Sequence, residues 1–253
     1  MSEKTNVTET VVEETTKTVV TSLNAKQKMI IALCSIVGVV AIILTSVLAT
    51  VAYLTSSAAV SNVFTIGNVG ITMTETKVDS DGKKLASGEQ VDTNTYHLIP
   101  GKTYDKDPTI TVNDGSVNSY LFVLVRNDLE GIAANTAEDP SIAKQMADNG
   151  WARYTKASTG WVYIYVGVGN VPTDDDVAPA SSYTYSGTAA TVTPGTYKLF
   201  DHFTIDKNAD ISAYGAAKIT LTAVAIQDEG FATLADAWTA VINTYPYIHT
   251  GSN

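Results

Sequence analysis

Cysteine, histidine and cationic side chains are scarce in this 253-residue chain, which has one Cys, three His and 16 Lys plus Arg. A single Cys forms no internal disulfide and excludes the usual cysteine-based zinc sites. With 26 Asp plus Glu and a net charge of −10, the chain lacks the clustered cations that bind phosphate backbones, so we expect no nucleic-acid partner. His97, His202 and His249 are far apart, and no HExxH motif occurs. We therefore expect no enzyme: no catalytic residues, no metal ligands and no cofactor.

Charged residues are also missing from residues 29–54, which read MIIALCSIVGVVAIILTSVLATVAYL. About 20 apolar residues span a bilayer, so residues 29–52 are predicted to be a signal peptide or transmembrane segment. Lys26 and Lys28 precede this run and no cation follows it closely, a bias that keeps the N-terminus cytoplasmic. Residues 1–28 are then a disordered cytoplasmic leader, and everything beyond the apolar run is exported.

The apolar run is either cleaved as a signal peptide or kept as a membrane anchor. Thr50 and Ala52 supply small residues at the −3 and −1 positions of a signal-peptidase site, and cleavage there makes Tyr53 the new N-terminus. The run is longer than the usual signal core, which favours an uncleaved anchor. In both cases the precursor is inserted in the cytoplasmic membrane, and the exported part is either secreted or held at the cell surface.

Beyond residue 68 the pattern is typical of strands separated by turns. Alternating or continuous apolar runs predict strands at residues 69–74, 109–112, 120–125, 161–166, 197–205 and 218–226. The run 120–125 is apolar on both faces, which predicts a central strand.

Two short helices interrupt the strands. One is expected from Asp139-Pro140 to Asn149-Gly150, and the other from a capping arrangement of Thr233 with Asp236. Many short strands with small helices predict an all-β fold, a jelly-roll-type β-sandwich over residues 69–253.

Three further patterns have both a functional and a structural interpretation. Asp79-Ser80-Asp81-Gly82 resembles the start of a calcium loop, but Gln90 stands where a bidentate Glu is required, which favours a solvated turn. Residues 174–176 are three consecutive Asp, which attract Ca²⁺ in some loops but usually mark an exposed turn. The aromatic set Trp151, Trp161, Tyr163 and Tyr165 suits a carbohydrate platform, although alternation within strands favours sheet packing.

The ordered set of these elements resembles the TasA/camelysin family of exported proteins from Gram-positive bacteria, processed by a SipW-type signal peptidase. The resemblance covers residues 29–128 and 195–230, whereas residues 129–194 match nothing and the leader is longer than is usual in the family. It is carried by the following segments: Thr50-Val51-Ala52-Tyr53, residues 62–71 (NVFTIGNVGI), residues 98–103 (LIPGKT), Asn113-Asp114-Gly115-Ser116, and the late strand 219–226.

The resemblance implies a jelly-roll sandwich and, for the TasA branch, a structural protein that self-assembles into extracellular biofilm-matrix fibres, with other matrix components as possible partners. In such fibres the N-terminal segment of one subunit is inserted as a strand into the next. Residues 53–68 are small and mildly apolar and have no clear partner strand, so we interpret them as the donor segment, in which Tyr53, Leu54, Ala59 and Val60 fill pockets.

Two alternatives come from other classes of protein. If the apolar run is not cleaved, the sandwich is a membrane-anchored surface binding module. The camelysin branch has also been classed as metallopeptidases, but the three scattered His of this chain give that activity no support.

Overall fold

A computed structural model of the chain describes residues 24–38, 60–172 and 184–250, and it divides into two units, residues 1–53 and 54–253. In the first unit residues 25–38 are helical. Within this helical segment Met29, Ile30, Leu33 and Ile36 are all exposed. Over the described residues, no helix combines the length and the apolar character that a membrane crossing requires.

The second unit is rich in β-structure, as expected, and has short helices. Its described part contains the following elements: β1 (Val60–Ile66), β2 (Ile71–Thr76), β3 (Gln90–Val91), β4 (Thr103–Asp105), β5 (Thr109–Val112), β6 (Ser119–Asn127), α1 (Ile142–Asp148), β7 (Trp151–Ala157), β8 (Gly160–Tyr165), β9 (Gly195–Lys198), β10 (His202–Thr204), β11 (Ile219–Gln227), α2 (Leu234–Thr244) and α3 (Tyr247–Thr250).

The strands form three sheets. A five-stranded sheet has the order β1-β11-β6-β8-β7, a four-stranded sheet has the order β3-β2-β5-β9, and β10 pairs with β4. Every pairing is antiparallel except that of β1 with β11, which is parallel.

The five-stranded sheet is buried on both faces. One face of β6 and β11 packs with the four-stranded sheet through Leu121, Val123 and Leu221 on one side and Ile71 and Ile110 on the other. The opposite face packs against α2 through a second core formed by Phe122, Leu124, Val224, Trp238 and Val241. Each such side chain contributes about 1.5–3 kcal/mol when fully buried. Because both faces of this sheet are covered, residues 120–125 are apolar on both faces of the strand. This confirms the predicted central strand.

The capping arrangement at the second helix is confirmed. Thr233 Oγ1 accepts a hydrogen bond from Asp236 N at 3.2 Å, and the Asp236 carboxylate accepts one from Thr233 N at 3.0 Å. The predicted start of the first helix is wrong, because α1 begins at Ile142 with Ser141 as its N-cap. Asp139 Oδ1 instead accepts a hydrogen bond from the Thr204 hydroxyl at 2.6 Å, which removes it from the helix end.

The single strand predicted over residues 197–205 is also wrong, since residues 199–201 separate β9 from β10. The side chain of Gln145, on α1, occupies the break. Its Oε1 accepts hydrogen bonds from the backbone N–H groups of Asp201 and His202 at 2.9 and 3.2 Å. The strand before the break, β9, pairs with β5, and the strand after it, β10, pairs with β4.

Candidate functional site

The first candidate site is the N-terminal edge of the five-stranded sheet. The expectation that residues 53–68 have no partner strand is wrong for residues 60–66, which form β1 and pair with β11 from Val60↔Thr220 to Ile66↔Ile226. Of the residues proposed for donor pockets, Val60 is thus the first residue of β1. Tyr53, Leu54 and Ala59, and the cleavage-site residues Thr50 and Ala52, lie outside the described residues.

Side chains of β1 pack against both cores. Val63 contacts the core between the two larger sheets, and Phe64 and Ile66 contact the core beneath α2. The Phe64 ring lies 5.0 Å from that of Tyr245 and 5.1 Å from that of Tyr247 between centroids. Tyr245 Oη also donates a hydrogen bond to Thr65 O at 2.9 Å. The strand is therefore held by seven paired residues on one side and by a short aromatic cluster.

Four residues connect β1 to β2, and the two ends of this connection differ. The end next to β2 is fixed, because Gly70 N donates to Ser116 Oγ at 3.0 Å and Gly70 O accepts from Asn113 N at 2.8 Å. The end next to β1 is Gly67, with φ +86°, where a Cβ would lie 2.4 Å from Gln227 Oε1. A change of direction of β1 relative to β2 is thus easiest at Gly67, where glycine has the widest conformational range.

The other edge of the same sheet is covered. Tyr185 N donates to Tyr154 O of β7 at 2.7 Å, and Thr155 forms a bridge with Thr184. An unpaired edge is a template for another strand, and covering it is a common way to prevent such pairing. At the β1 edge, in contrast, the covering element is itself the first strand of the described part of the unit.

A second candidate site is a cavity of about 470 Å³ between the sheet and the segment before α1. Its walls include Arg153, Lys156 and Trp161. The cations lie over the Trp161 ring, with Arg153 Cζ at 5.4 Å and Lys156 Nζ at 4.7 Å from its centroid. Cation–π contacts of this kind orient the cations. Glu130 also lines the cavity, so the charged groups of both signs suit a polar ligand.

The aromatic set predicted as sheet packing is placed within the cores. Trp151 is fully buried, while Trp161 and Tyr163 are 7% and 4% exposed. Trp151 also packs edge-on to Tyr165 with 5.3 Å between centroids. All four rings belong to the core between the sheets or pack against it, so the sheet-packing interpretation is confirmed for these residues.

Within the described part of the chain, the metal candidates of the sequence do not come together. Asp79 Oδ1 accepts hydrogen bonds from Asp81 N and Lys83 N at 2.8 and 2.9 Å, which confirms the turn interpretation of that segment. His97 is exposed and His202 lies on β10, while residues 174–176 lie outside the described part of the chain. Across residues 24–38, 60–172 and 184–250, no group of three or more His, Cys, Asp or Glu is arranged to hold a metal ion.

The third candidate site was not predicted from the sequence: a buried ion pair in the interior of the second unit. Lys106 Nζ lies 2.5 Å from Glu75 Oε2, and the two side chains are 1% and 3% exposed. Glu75 Oε1 accepts a hydrogen bond from the backbone N–H of Asn94 at 2.8 Å. Burial lowers the pKa of the Lys106 ammonium more than the attraction of Glu75 raises it.

A cluster of three aromatic rings reaches this ion pair through Tyr96. The rings of Tyr96, Tyr104 and Phe203 lie 5.1–5.7 Å apart between centroids, and Lys106 Nζ lies 5.9 Å from the Tyr96 ring. Burial, and then the charge of Glu75, raise the pKa of the Tyr96 hydroxyl well above its ordinary value. The ion pair is shielded from water by its burial, and its neighbours include the neutral Tyr96 ring and the charge of Asp107.

Comparison of the chain with protein-family models, with curated proteins and with solved structures gave no match. The resemblance described above therefore rests on the residues quoted for it.

Proposed function

We propose that this chain is an exported structural protein that self-assembles head to tail into extracellular surface or biofilm-matrix fibres by β-strand addition. The observation that carries the proposal is β1, an N-terminal edge strand that pairs in parallel with β11 and is joined to β2 through Gly67. In the fibre, β1 of one subunit occupies the position beside β11 of the next. The resemblance to the TasA/camelysin family supports the same assignment and adds the jelly-roll description of the sandwich.

The strand exchange keeps the pairing of each subunit complete. When β1 leaves β11, the antiparallel pairs of β11, β6, β8 and β7 remain in place. The exposed edge of β11 then accepts β1 of a neighbour, which restores the same seven backbone pairs and the same apolar contacts. The contact is heterologous, because donor and acceptor surfaces differ, and repeated heterologous contacts give an open filament.

Cleavage by a SipW-type signal peptidase before Tyr53 is part of this proposal. It would leave seven residues before β1 and a free N-terminus that can reach a neighbouring subunit. The chain would then be secreted and recovered from the matrix, alone or with other matrix components.

The alternative is a membrane-anchored surface binding module with an uncleaved signal. The observation that favours it is the cavity with Arg153, Lys156 and Trp161, which would be its binding site. A metallopeptidase of the camelysin type has no supporting group of side chains among the described residues.

A disulfide between β1 and β11 tests the exchange. Val63 and Ala223 are opposite in register and face the same core, and neighbouring strands lie about 4.7–4.9 Å apart, within disulfide reach. We expect the oxidised Val63→Cys, Ala223→Cys protein, in a Cys34→Ser background, to remain monomeric and to form fibres after reduction. The single Val63→Cys variant is the control, since it should assemble under both conditions.

Oxidation after assembly gives the complementary result. If β1 is exchanged, disulfides formed within fibres join neighbouring subunits, and a denaturing non-reducing gel shows a ladder of covalent multimers. Disulfides confined to single chains in mature fibres, or fibres grown unhindered from the oxidised monomer, would show that β1 keeps its own partner and that the proposal is wrong.

A further inference from the structure

The buried pair of Lys106 and Glu75 places an amine against a carboxyl group in a dry part of the protein. Because a C–O bond is about 1.23 Å long, the carboxyl carbon Cδ of Glu75 lies within about 3.7 Å of Lys106 Nζ. Near-attack geometries for reacting atoms are about 3–3.5 Å, so a small shift of either side chain brings the two into bonding range.

Burial makes the conversion of this ion pair to its neutral form less costly than it is in water. In water an amine and a carboxylic acid exist as solvated ions, and this solvation prevents their condensation to an amide. Both side chains are removed from water here, and the cost of burying two ions is high. A proton transfer from Nζ to Oε2 along their hydrogen bond gives the neutral amine and the neutral acid, which are the reactive forms.

We propose that Lys106 Nζ and Glu75 Cδ are joined by an amide bond in the mature protein, an intramolecular isopeptide cross-link that forms without an enzyme. The Nζ–Cδ bond forms and the Cδ–Oε2 bond breaks. Oε2 has taken one proton from the ammonium group, receives a second from Nζ as the intermediate collapses, and leaves as water. No oxidant, reductant or other reactant is required.

The backbone supports the reaction at the atom where charge develops. As Nζ adds to Cδ, negative charge accumulates on Oε1, and that oxygen already accepts a hydrogen bond from Asn94 N at 2.8 Å. A fixed backbone donor aimed at such an oxygen stabilises an acyl-transfer transition state. Asn94 is held in turn, because its Nδ2 donates to Thr76 O at 2.8 Å and its Oδ1 accepts from Val78 N at 2.9 Å.

The cross-link would tie two strands that are distant in sequence. Glu75 lies near the end of β2, and Lys106 directly follows β4, so the bond closes a loop that contains β3 and Tyr96. Cross-links of this kind stabilise mainly by restricting the unfolded chain. This inference stands whether or not the protein forms fibres.

Mass spectrometry of the exported protein, purified from its own host, tests the proposal. The expected result is a chain lighter than its sequence by the mass of one water. Trypsin does not cleave after an acylated lysine, so residues 103–126 should stay whole and be joined to the peptide that ends at Lys77. Fragmentation of the joined peptides should place the bond between Glu75 and Lys106.

Two controls accompany this measurement. Lys77 and Glu89 form an exposed ion pair of the same residue types at 2.9 Å, with 44% and 51% of the side chains exposed, and should not condense. The Lys106→Arg variant keeps the positive charge but offers no amine, and its chain should have the full sequence mass with cleavage restored after residue 106. An unchanged wild-type mass would overturn the proposal. Loss of ammonia in place of water would also overturn it, because that result assigns the bond to a carboxamide such as Asn94.

Discussion

Truncation of Phe64 separates strand exchange from other ways of assembling fibres. Phe→Ala in a full core costs about 3–5 kcal/mol, and Phe64 is only half-buried against Tyr245 and Tyr247, so Phe64→Ala should weaken the docking of β1 by about 2 kcal/mol. In an exchanged fibre β1 meets the same surface on a neighbour that it meets on its own subunit. The substitution therefore destabilises monomer and fibre by the same amount.

Because monomer and fibre are destabilised equally, the equilibrium between them and the rate of fibre growth should respond differently. The concentration of free subunit in equilibrium with fibres should not change, because the lost contact is lost in both states. The rate of growth should rise, because β1 must first leave its own β11, and each 1.4 kcal/mol corresponds to about a tenfold change. We expect growth on preformed seeds to be about 30-fold faster for Phe64→Ala.

Light scattering of seeded samples measures the growth rate, and sedimentation measures the subunit left in solution. Tyr197→Ala is the matched control, since it removes a half-buried ring from β9, in the other large sheet, where it packs 5.0 Å from Tyr165. It should lower the free energy of unfolding without accelerating growth. Slower or unchanged growth of Phe64→Ala, or a rise in the equilibrium concentration of free subunit, would refute the exchange of β1.

Two further predictions concern stability. The backbone N–H and hydroxyl of Thr76 and the ammonium of Lys84 hold the pKa of Asp107 below its ordinary value, although burial alone would raise it. Its contribution is therefore present above about pH 4 and lost as the pH falls through the lowered pKa. Asp107→Asn should lower the free energy of unfolding by about 1 kcal/mol at neutral pH. Urea unfolding at a series of pH values should also show a smaller loss of stability on acidification than in wild type, and an unchanged loss would contradict this account. Gly160→Ala would place a Cβ 2.1 Å from Val125 O, and should cost about 1–3 kcal/mol in the same assay, whereas a neutral effect would show that the β6–β8 contact can relax.

Features that depend on near neighbours could be predicted from the sequence. The capping pair Thr233 and Asp236 is three residues apart, and its geometry follows from one helical turn. Apolar residues on both faces of residues 120–125 indicate a central strand. The start of α1 could not be predicted in this way, because Asp139 and Ser141 are both good N-cap residues. A hydrogen bond from the distant Thr204 hydroxyl to Asp139 decides between them.

Features that depend on distant partners could not be predicted. Nothing in residues 60–66 indicates that their partner is β11, about 160 residues later, and parallel pairing leaves no turn signal between the strands. One signal for the buried pair was present: Ile71, Met73 and Glu75 alternate on one face of β2, which places a carboxylate in the core. Its partner Lys106 lies between Asp105 and Asp107, a context that resembles a solvated turn.

Both proposals, the exchange of β1 and the amide between Glu75 and Lys106, involve β2. In a fibre built by exchange of β1, tension between subunits passes through residues 67–70 and enters β2 at its first residue, Ile71. Beyond that point β2 is held by four residue pairs with β5 and by two with β3. An amide at Glu75 would join the far end of the same strand to Lys106. A force that separates β2 from β5 and β3 would then still act on a covalent bond. Under load, a fibre of the Lys106→Arg variant should therefore lengthen by residues 76–105 once β2 is pulled out, as force spectroscopy would measure, whereas the amide keeps this loop out of the extension of the wild-type fibre.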